Sequence, residues 1–300
     1  METVDFQWLH DEKSTKEALQ ATLNCSGQLI KKHFNSKEQT RPIRARDQIR
    51  LPLDFVNHMR INPVFEGPSP LILKETSNYL ALPKPACIHC HPLVYSDRDT
   101  LLNFLTQIQH WPALNINQNQ YDRGLLYRLD FETSGVILLA KNEEFLSKMR
   151  MGFSTLMKRK FYWAIVDGNF NREGEWTHYF RASGEKGSKQ LVSDSANRDS
   201  QEGILSVKKV MESQGKSLVL INLKHGLRHQ IRAQLSHLGF PLLGDVLYGG
   251  KKNERLFLHA LRYEWSEALE DHHADLFHLF FDLDRGLEMS HDMFGIFQSY

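Results

Sequence analysis

One short segment of the sequence combines cysteines and histidines at close spacing. Residues 84–92 are KPACIHCHP, which contains Cys87, His89, Cys90 and His91. The pattern C-x-x-C-H is typical of covalent haem attachment through thioether bonds. Thiolates and imidazoles are also preferred zinc ligands, although a structural zinc site needs four of them. The segment alone therefore leaves three interpretations open: a haem protein, a zinc site, or neither.

A second group of polar residues precedes an apolar run. Arg128 and Asp130 lie in YRLDFETSGVILLAK, residues 127–141. Loops that a rigid sheet presents are where catalytic and binding groups concentrate. An aspartate is ionised at neutral pH and, with hydrogen-bond support, can act as a nucleophile or as a base. Asp and Thr before a strand are also common turn formers, so both interpretations stand.

A third group lies in GLRHQIRAQL, residues 226–235. Arg228 and Arg232 are four positions apart, so a helix would place them on one face, with His229 and Gln230 beside them. Guanidinium groups can hold a phosphate or a carboxylate through several donors. An amphipathic helix with a basic face gives the same pattern. The sequence has neither an H-E-x-x-H pattern nor a glycine-rich phosphate loop, so chemistry without a cofactor is expected.

The elements that must position these groups are several strands and a few helices. Apolar or β-branched runs predict strands over 134–141, 160–168, 204–213 and 216–226, the last two forming a hairpin. The spacing of Ile231, Leu235 and Leu238 predicts a helix, and Gly239 is placed to end it. This irregular alternation indicates an α+β protein with a mixed sheet.

A smaller module is predicted over residues 1–62. Ser14 and Glu17 have the spacing of a capping box, which predicts a helix over 14–25. A short strand follows and ends at Pro52. The Pro- and Gly-containing segment NPVFEGPSP then joins this accessory module to a larger domain over 63–300.

The composition predicts a soluble, cytoplasmic protein. Of its 300 residues, 41% are apolar and 24% are charged, which is ordinary for a globular protein. The first residues, METVDFQWLHDEK, lack the pattern of a signal peptide, and no apolar run approaches the roughly 18 residues of a membrane span. The cysteine count of 3 indicates reduced thiols. Because thioether attachment of haem occurs outside the cytoplasm, these features argue against it.

Charge is unevenly distributed although the formal net charge is only +1. One basic stretch comprises Lys31, Lys32, Lys37, Arg41, Arg44, Arg46 and Arg50. The tail from Glu264 onwards is acidic. Local basic surface attracts nucleic acid, but ordinary solvated charge gives the same pattern.

Five motifs occur in a fixed order between residues 84 and 261. They are KPA with its following HP, YRLDFETSG, RKFYWAIVDG, GLRHQIRAQLSHLGFPLLGDVLYGG and LFLHAL. Together they resemble the motifs of RNA pseudouridine synthases of the RluA type, whose signature is H-R-L-D-x-x-T-S-G. Tyr127, Leu227 and Gln234 depart from that pattern, which has His, Arg and His there. The family has a small residue where Cys87 stands, so the resemblance implies that CIHCH belongs to a structural segment.

The resemblance implies a mixed, mainly antiparallel central sheet with flanking helices and a reaction that needs neither cofactor nor metal. The implied catalytic residues are Asp130, Tyr162 and Arg232. Asp130 would be the essential nucleophile or base, Tyr162 would pack against a uracil flipped out of the RNA and could move a proton, and Arg232 would pair with the catalytic carboxylate. The implied RNA-binding residues are Arg128, Lys160, His229 and Gln230. The implied partner is ribosomal or transfer RNA, bound by a monomer without a protein partner.

Three further points stay open from the sequence. RARDQIRLPL, residues 44–53, is similar to the last strand of an S4-type RNA-binding domain, so the accessory module is expected to be a reduced version of one. A catalytically silent RNA-binding protein on the same fold is one alternative, against which the intact set of Asp130, Tyr162 and Arg232 argues. A redox or metal protein that uses CIHCH is the other alternative.

Overall fold

The computed structural model describes residues 2–265, apart from the side chains of Ser154, Thr155, Lys158 and Lys186. Most of the predicted acidic tail, and with it the end of the predicted 63–300 domain, lies outside the described residues. The chain forms two compact units. Of the described residues, the first comprises 2–67, 91–110 and 118–121, and the second comprises 68–90, 111–117 and 122–265. The predicted division into an accessory module and a catalytic domain stays a prediction.

The first unit combines a two-stranded antiparallel sheet with short helices. Its strands are β1 (Thr3–Gln7) and β2 (Gln48–Pro52). Its helices are α1 (Thr15–Leu23), α2 (Gly27–His33), α3 (Ser36–Thr40), α4 (Leu53–Val56) and α5 (Leu101–Gln107). The predicted first helix is confirmed, because the Ser14 side chain accepts the N–H of Glu17 at 3.2 Å and thereby satisfies a free donor of the first turn.

The second unit is built on one sheet of nine strands. In chain order they are β3 (Lys74–Glu75), β4 (Tyr79–Lys84), β5 (Ser134–Ala140), β6 (Met157–Asp167), β7 (Gly174–Ser183), β8 (Lys189–Ser193), β9 (Gln201–Ser213), β10 (Lys216–Leu223) and β11 (Leu258–Trp265). Their order across the sheet is β3-β4-β5-β11-β6-β10-β9-β7-β8. All neighbours are antiparallel except β5 and β11, which are parallel. The predicted fold class, a mixed and mainly antiparallel sheet, is confirmed.

Helices of the second unit are α6 (Trp111–Leu114), α7 (Glu143–Met151), α8 (Phe153–Leu156) and α9 (Gln230–His237). Two single 3-10 turns, Glu185–Gly187 and Val246–Tyr248, complete it. Within the part of the chain described, no helix combines the length and the apolar character needed to span a bilayer.

Strand β5 and helix α9 form where the sequence predicted them. Every residue of β5 is buried, and α9 buries Ile231 and Leu235 in the same core as Val136 and Leu138. Burying one such side chain contributes about 1.5–3 kcal/mol. Gly239 has φ +87° just after α9, in the left-handed conformation that suits glycine at the end of a helix.

The predicted hairpin is also confirmed. Strands β9 and β10 pair antiparallel from Ser213 and Lys216 onwards. The two residues between them, Gln214 and Gly215, have φ values of 51° and 69°. Two consecutive positive φ angles match the twist of the flanking strands, which is why two-residue hairpins favour them.

Candidate active site

Asp130 lies in the turn that leads into β5. The N–H of Thr133 donates to the carbonyl oxygen of Asp130 at 3.2 Å and closes this turn. The Asp130 side chain is 29% exposed, and its Oδ2 lies 3.9 Å from Nε2 of His229. A strand that is buried along its whole length thus presents a partly solvated carboxylate at its beginning.

Lys84, the last residue of β4, fixes the backbone of this turn by hydrogen bonds. Its ammonium group is buried and donates to the carbonyl oxygens of Pro85, Ile88 and Phe131 at 2.9, 2.9 and 3.1 Å. Burial lowers the pKa of Lys84 to about 8, although nearby Cys90 and the acidic groups oppose this shift. The N–H of Cys87 donates to the same Phe131 carbonyl at 2.9 Å. The residue after Asp130 is therefore fixed by two donors.

The Cys90 thiol fixes the residue before Asp130. Its sulfur accepts the N–H of Leu129 and its S–H donates to the Leu129 carbonyl, both at 3.4 Å. Burial raises the pKa of this thiol, so it stays protonated and able to donate. The segment KPACIHC thus fixes the backbone on both sides of Asp130. The cysteine-containing motif therefore has a structural role.

Arg232 on α9 is buried and forms a bidentate ion pair with Asp245. Its Nε and Nη2 donate to the two carboxylate oxygens of Asp245 at 2.8 Å each, and its Nη1 donates to Glu132 at 3.2 Å. Burial alone would lower the pKa of Arg232, but Asp245, Glu132 and Asp130 together raise it. The planar fork of guanidinium suits such a pairing.

This arrangement differs from the pairing with Asp130 that the resemblance implied. Among residues 2–265, the hydrogen bonds of Arg232 go to Asp245 and Glu132, and Asp130 interacts with it only through its charge. Asp245 belongs to the motif GDVLYGG, and the sequence predicts no role for it. Its partner Arg232 lies on another element, and local sequence patterns do not show such a pairing. Arg228 does not share a helical face with Arg232 either, since α9 begins at Gln230.

His229 is a basic residue that lies within ion-pair distance of the Asp130 carboxylate. It precedes α9 with φ 54°, and its Nδ1 lies 3.1 Å from the Tyr248 hydroxyl. That hydroxyl accepts the N–H of Gln190 at 2.9 Å, so its own proton can be donated to Nδ1. The remaining nitrogen, Nε2, then carries the imidazole proton towards Asp130. Burial lowers the pKa of His229, which favours this neutral form.

Two buried tyrosines, Tyr162 and Tyr263, and the partly buried Tyr127 form a group beside these residues. The hydroxyls of Tyr162, on β6, and Tyr263, on β11, lie 2.8 Å apart, and the rings of Tyr127 and Tyr263 have centroids 4.5 Å apart. Burial raises the pKa of Tyr162 to about 12, and the charge of Asp130 acts in the same direction. Tyr162 is therefore protonated at neutral pH.

The predicted RNA-binding residues are in different surroundings. Arg128 is exposed. Lys160 is buried, donates to the carbonyl of His225 at 3.1 Å, and has its pKa lowered to about 8 by burial. Gln230 is buried, accepts the N–H of Leu227 and donates to the Ile204 carbonyl. A direct contact of each residue with RNA stays a prediction.

One group of described residues has the composition of a metal site: His178, Asp194 and His237. Nε2 of each histidine lies near Asp194 Oδ1, at 3.5 Å for His178 and 2.9 Å for His237. However, the Gln234 amide nitrogen contacts Nδ1 of His178 at 2.9 Å and also the carbonyls of Trp176 and Gly203, so it must be a donor. His178 then carries its proton on Nε2, where a metal would need a lone pair. The group is better suited to hydrogen bonding.

Comparison with known proteins identifies the family. The family model for RNA pseudouridylate synthase matches residues 78–237, more than half of the chain. The chain belongs to this family. It is 33% identical over 198 residues to ribosomal large subunit pseudouridine synthase D of Borreliella burgdorferi, a match that covers 64% of this chain and 60% of that relative. It is 30% identical over 181 residues to the enzyme of the same name in Pseudomonas aeruginosa, which covers 60% and 53%.

The chain thus spans less than two thirds of the length of these family members. Among solved structures, human RNA pseudouridylate synthase domain containing 1 superimposes with a TM-score of 0.56 at 20% identity, covering 68% of this chain and 81% of that one. Human RNA pseudouridylate synthase domain containing 4 gives 0.53 at 20% identity, covering 73% and 93%. These likenesses support the fold of the family.

Proposed function

We propose that this protein isomerises uridine in structured RNA to pseudouridine and that Asp130 is its essential catalytic group. The observation that carries the proposal is the position of Asp130, a partly exposed carboxylate whose two neighbours are fixed by Lys84, Cys87 and Cys90. Such fixed placement of a reactive group is what positioning in catalysis requires. The proposed substrates are ribosomal and transfer RNA.

The reaction needs no external reactant. The bond between uracil N1 and ribose C1′ breaks, a bond between C5 and C1′ forms, the proton on C5 is released and N1 takes up a proton. A uracil stacked in RNA cannot reach Asp130, so the nucleotide must flip out at a cost of a few kcal/mol. The carboxylate then acts as the nucleophile or as the base that starts the exchange.

The neighbouring residues have supporting roles in this proposal. Tyr162, protonated and buried, packs against the flipped uracil. His229 directs its Nε2 proton towards Asp130 and so stabilises the ionised carboxylate. Arg232 keeps α9 attached to Asp245 and to Glu132, which lies in the Asp130 turn, and so joins the helix to that turn. Arg128, exposed and two positions from Asp130, fills the space that the flipped nucleotide leaves.

Replacement of Asp130 tests the proposal. Asp130→Asn keeps the shape of the side chain and removes its charge, so tritium release from RNA labelled at uracil C5 should fall below detection while RNA affinity and the circular dichroism spectrum stay unchanged. The matched control is Asp199→Asn, an exposed aspartate of the same unit. Turnover by Asp130→Asn within a few-fold of the unaltered protein would overturn the role of Asp130. An unaltered protein that binds RNA and releases no tritium would be the silent RNA-binding alternative.

A further inference from the structure

An exposed aromatic ring lies directly beside Asp130. Phe131 is 37% exposed, and its ring packs on that of His89 with centroids 4.7 Å apart and planes inclined by 40°. His89 is half-buried and comes from the CIHCH segment. Because residues 130 and 131 are adjacent, their Cα atoms are about 3.8 Å apart, so this aromatic pair lies on the same turn as Asp130.

The backbone that carries the pair is fixed. The Phe131 carbonyl accepts hydrogen bonds from the Lys84 ammonium and the Cys87 N–H. His89 lies between Ile88, whose carbonyl also accepts from Lys84, and Cys90, whose thiol is bonded to Leu129. An aromatic side chain on a fixed backbone loses little conformational freedom when a ligand stacks on its ring.

The chemistry of the surface matches an unpaired nucleotide. Arg128, an exposed residue, lies three positions from Phe131, so the segment that carries Asp130 also carries an aromatic ring and a positive charge. Single-stranded nucleic acid is bound by this combination, in which bases stack on aromatic rings and cations contact the backbone. When a uridine flips out, the base next to it loses a stacking partner.

We propose that His89 and Phe131 form a stacking platform for an unpaired RNA base adjacent to the target uridine. This inference rests on the proposed function and narrows its substrate class to uridines in loops or other single-stranded regions. Stacking of this kind tolerates any base. Phe131→Ala should therefore weaken binding of a stem–loop RNA with one loop uridine by about tenfold, and His89→Ala should weaken it less.

The test combines changes in the protein and in the RNA. All binding is measured in the Asp130→Asn background, so that the result does not depend on catalysis. An abasic site beside the loop uridine should weaken binding about as much as Phe131→Ala, and the two changes together should cost no more than either alone. Phe131→Trp should retain the affinity, whereas Phe131→Leu should not. Trp111→Ala, which removes another exposed ring of the same unit, serves as the control and should have no effect.

Two outcomes would overturn the platform. One is unchanged affinity of Phe131→Ala, with folding verified by circular dichroism. The other is additive losses from Phe131→Ala and the abasic site, because independent losses mean that the ring and the base do not meet. Failure of the platform leaves the Asp130 assignment untouched. Conversely, an unaltered protein that releases no tritium would refute the proposed function without changing these binding results.

Discussion

At the scale of the residue, Asp130 is held through its neighbours. The carboxylate itself keeps partial contact with solvent, while Leu129 and Phe131 are fixed by hydrogen bonds to their backbone groups. A reactive side chain can then change partners during a reaction without disturbing the turn. The thiol of Cys90 is the weakest of these supports, since sulfur forms weaker hydrogen bonds than oxygen or nitrogen.

Cys90→Val tests that support. Valine is also apolar and close in volume, so packing is kept while both hydrogen bonds to Leu129 are lost. A neutral hydrogen bond contributes roughly 1 kcal/mol, and we expect kcat to fall about three- to tenfold with little change in KM. Cys90→Ser, which can donate and accept, should restore kcat. Cys87→Ala should stay within a few-fold of the unaltered protein.

Cys25→Val is the matched control, because Cys25 is a buried cysteine of the other compact unit. Equal kcat for Cys90→Val and the unaltered protein would show that the thiol has no positioning role. A measured loss of bound metal together with activity in either cysteine variant would instead restore the zinc interpretation of CIHCH.

At the scale of the element, β5 meets β11 at only two residue pairs, Ser134 with His259 and Gly135 with Ala260. Gly135 has φ +119°, and a Cβ there would overlap the Ala260 backbone, so glycine is required. His259 Nδ1 lies 2.9 Å from the Ser134 hydroxyl, which also accepts from Arg255 at 3.2 Å. This short parallel contact joins the strand that follows Asp130 to the rest of the sheet.

His259 should make the contact sensitive to acid. Burial lowers its pKa from 6.5 to about 3, and the charge of Arg255 adds to the effect. Below pH 6.5 the unfolded chain binds a proton that the folded chain excludes. The free energy of unfolding should therefore fall by roughly 1.4 kcal/mol per pH unit as pH drops from the ordinary pKa towards the lowered one.

Urea unfolding at neutral and mildly acidic pH measures this slope. His259→Asn keeps a polar atom near Nδ1 and has no proton to gain, so its stability should decline less steeply with acid. Other buried histidines, such as His178 and His229, are present in both proteins, and their contribution cancels in the comparison. Identical pH slopes for the two proteins would contradict the prediction.

How much could be predicted from the sequence depends on the range of the interaction. Strand β5, the β9–β10 hairpin and α9 follow from local patterns of apolar and turn residues, and the structure confirms them. The pairing of Arg232 with Asp245, the Cys90 bonds to Leu129 and the β5–β11 contact join distant parts of the chain. Local patterns carry no information on such contacts. The prediction that Arg228 shares a helical face with Arg232 was wrong, because the helix begins only at Gln230.

At the scale of the whole molecule, the basic stretch of the first unit is only partly neutralised. Arg41, Arg44 and Arg50 are paired with Asp47, Asp11 and Asp5. Lys31, Lys32 and Lys37 are exposed, which makes them the better candidates for phosphate contacts. Deleting residues 1–62 would test them poorly, because Asn103 donates to the Asn62 carbonyl at 2.7 Å within the same unit.

Changing Lys31, Lys32 and Lys37 together to Gln is the sharper test. We expect weaker RNA binding. The slope of the logarithm of the binding constant against the logarithm of salt concentration should become shallower by about two, since each lost phosphate contact removes about 0.7 from it. Activity at saturating RNA should be unchanged. Lys252→Gln, at an exposed lysine of the second unit, is the control. An unaltered salt slope in the triple variant would exclude this surface from RNA capture.

The sheet order determines when, during synthesis, the Asp130 turn and Tyr162 can first be brought together. Strand β11 lies between β5 and β6, so before it is added the sheet consists of two separate pieces, one carrying the Asp130 turn and the other carrying Tyr162. Synthesis proceeds at roughly 5–20 residues per second from the N-terminus, and β11 is the last strand described. If the proposed function holds, a nascent chain should therefore gain activity only after residues 258–265 have left the exit tunnel.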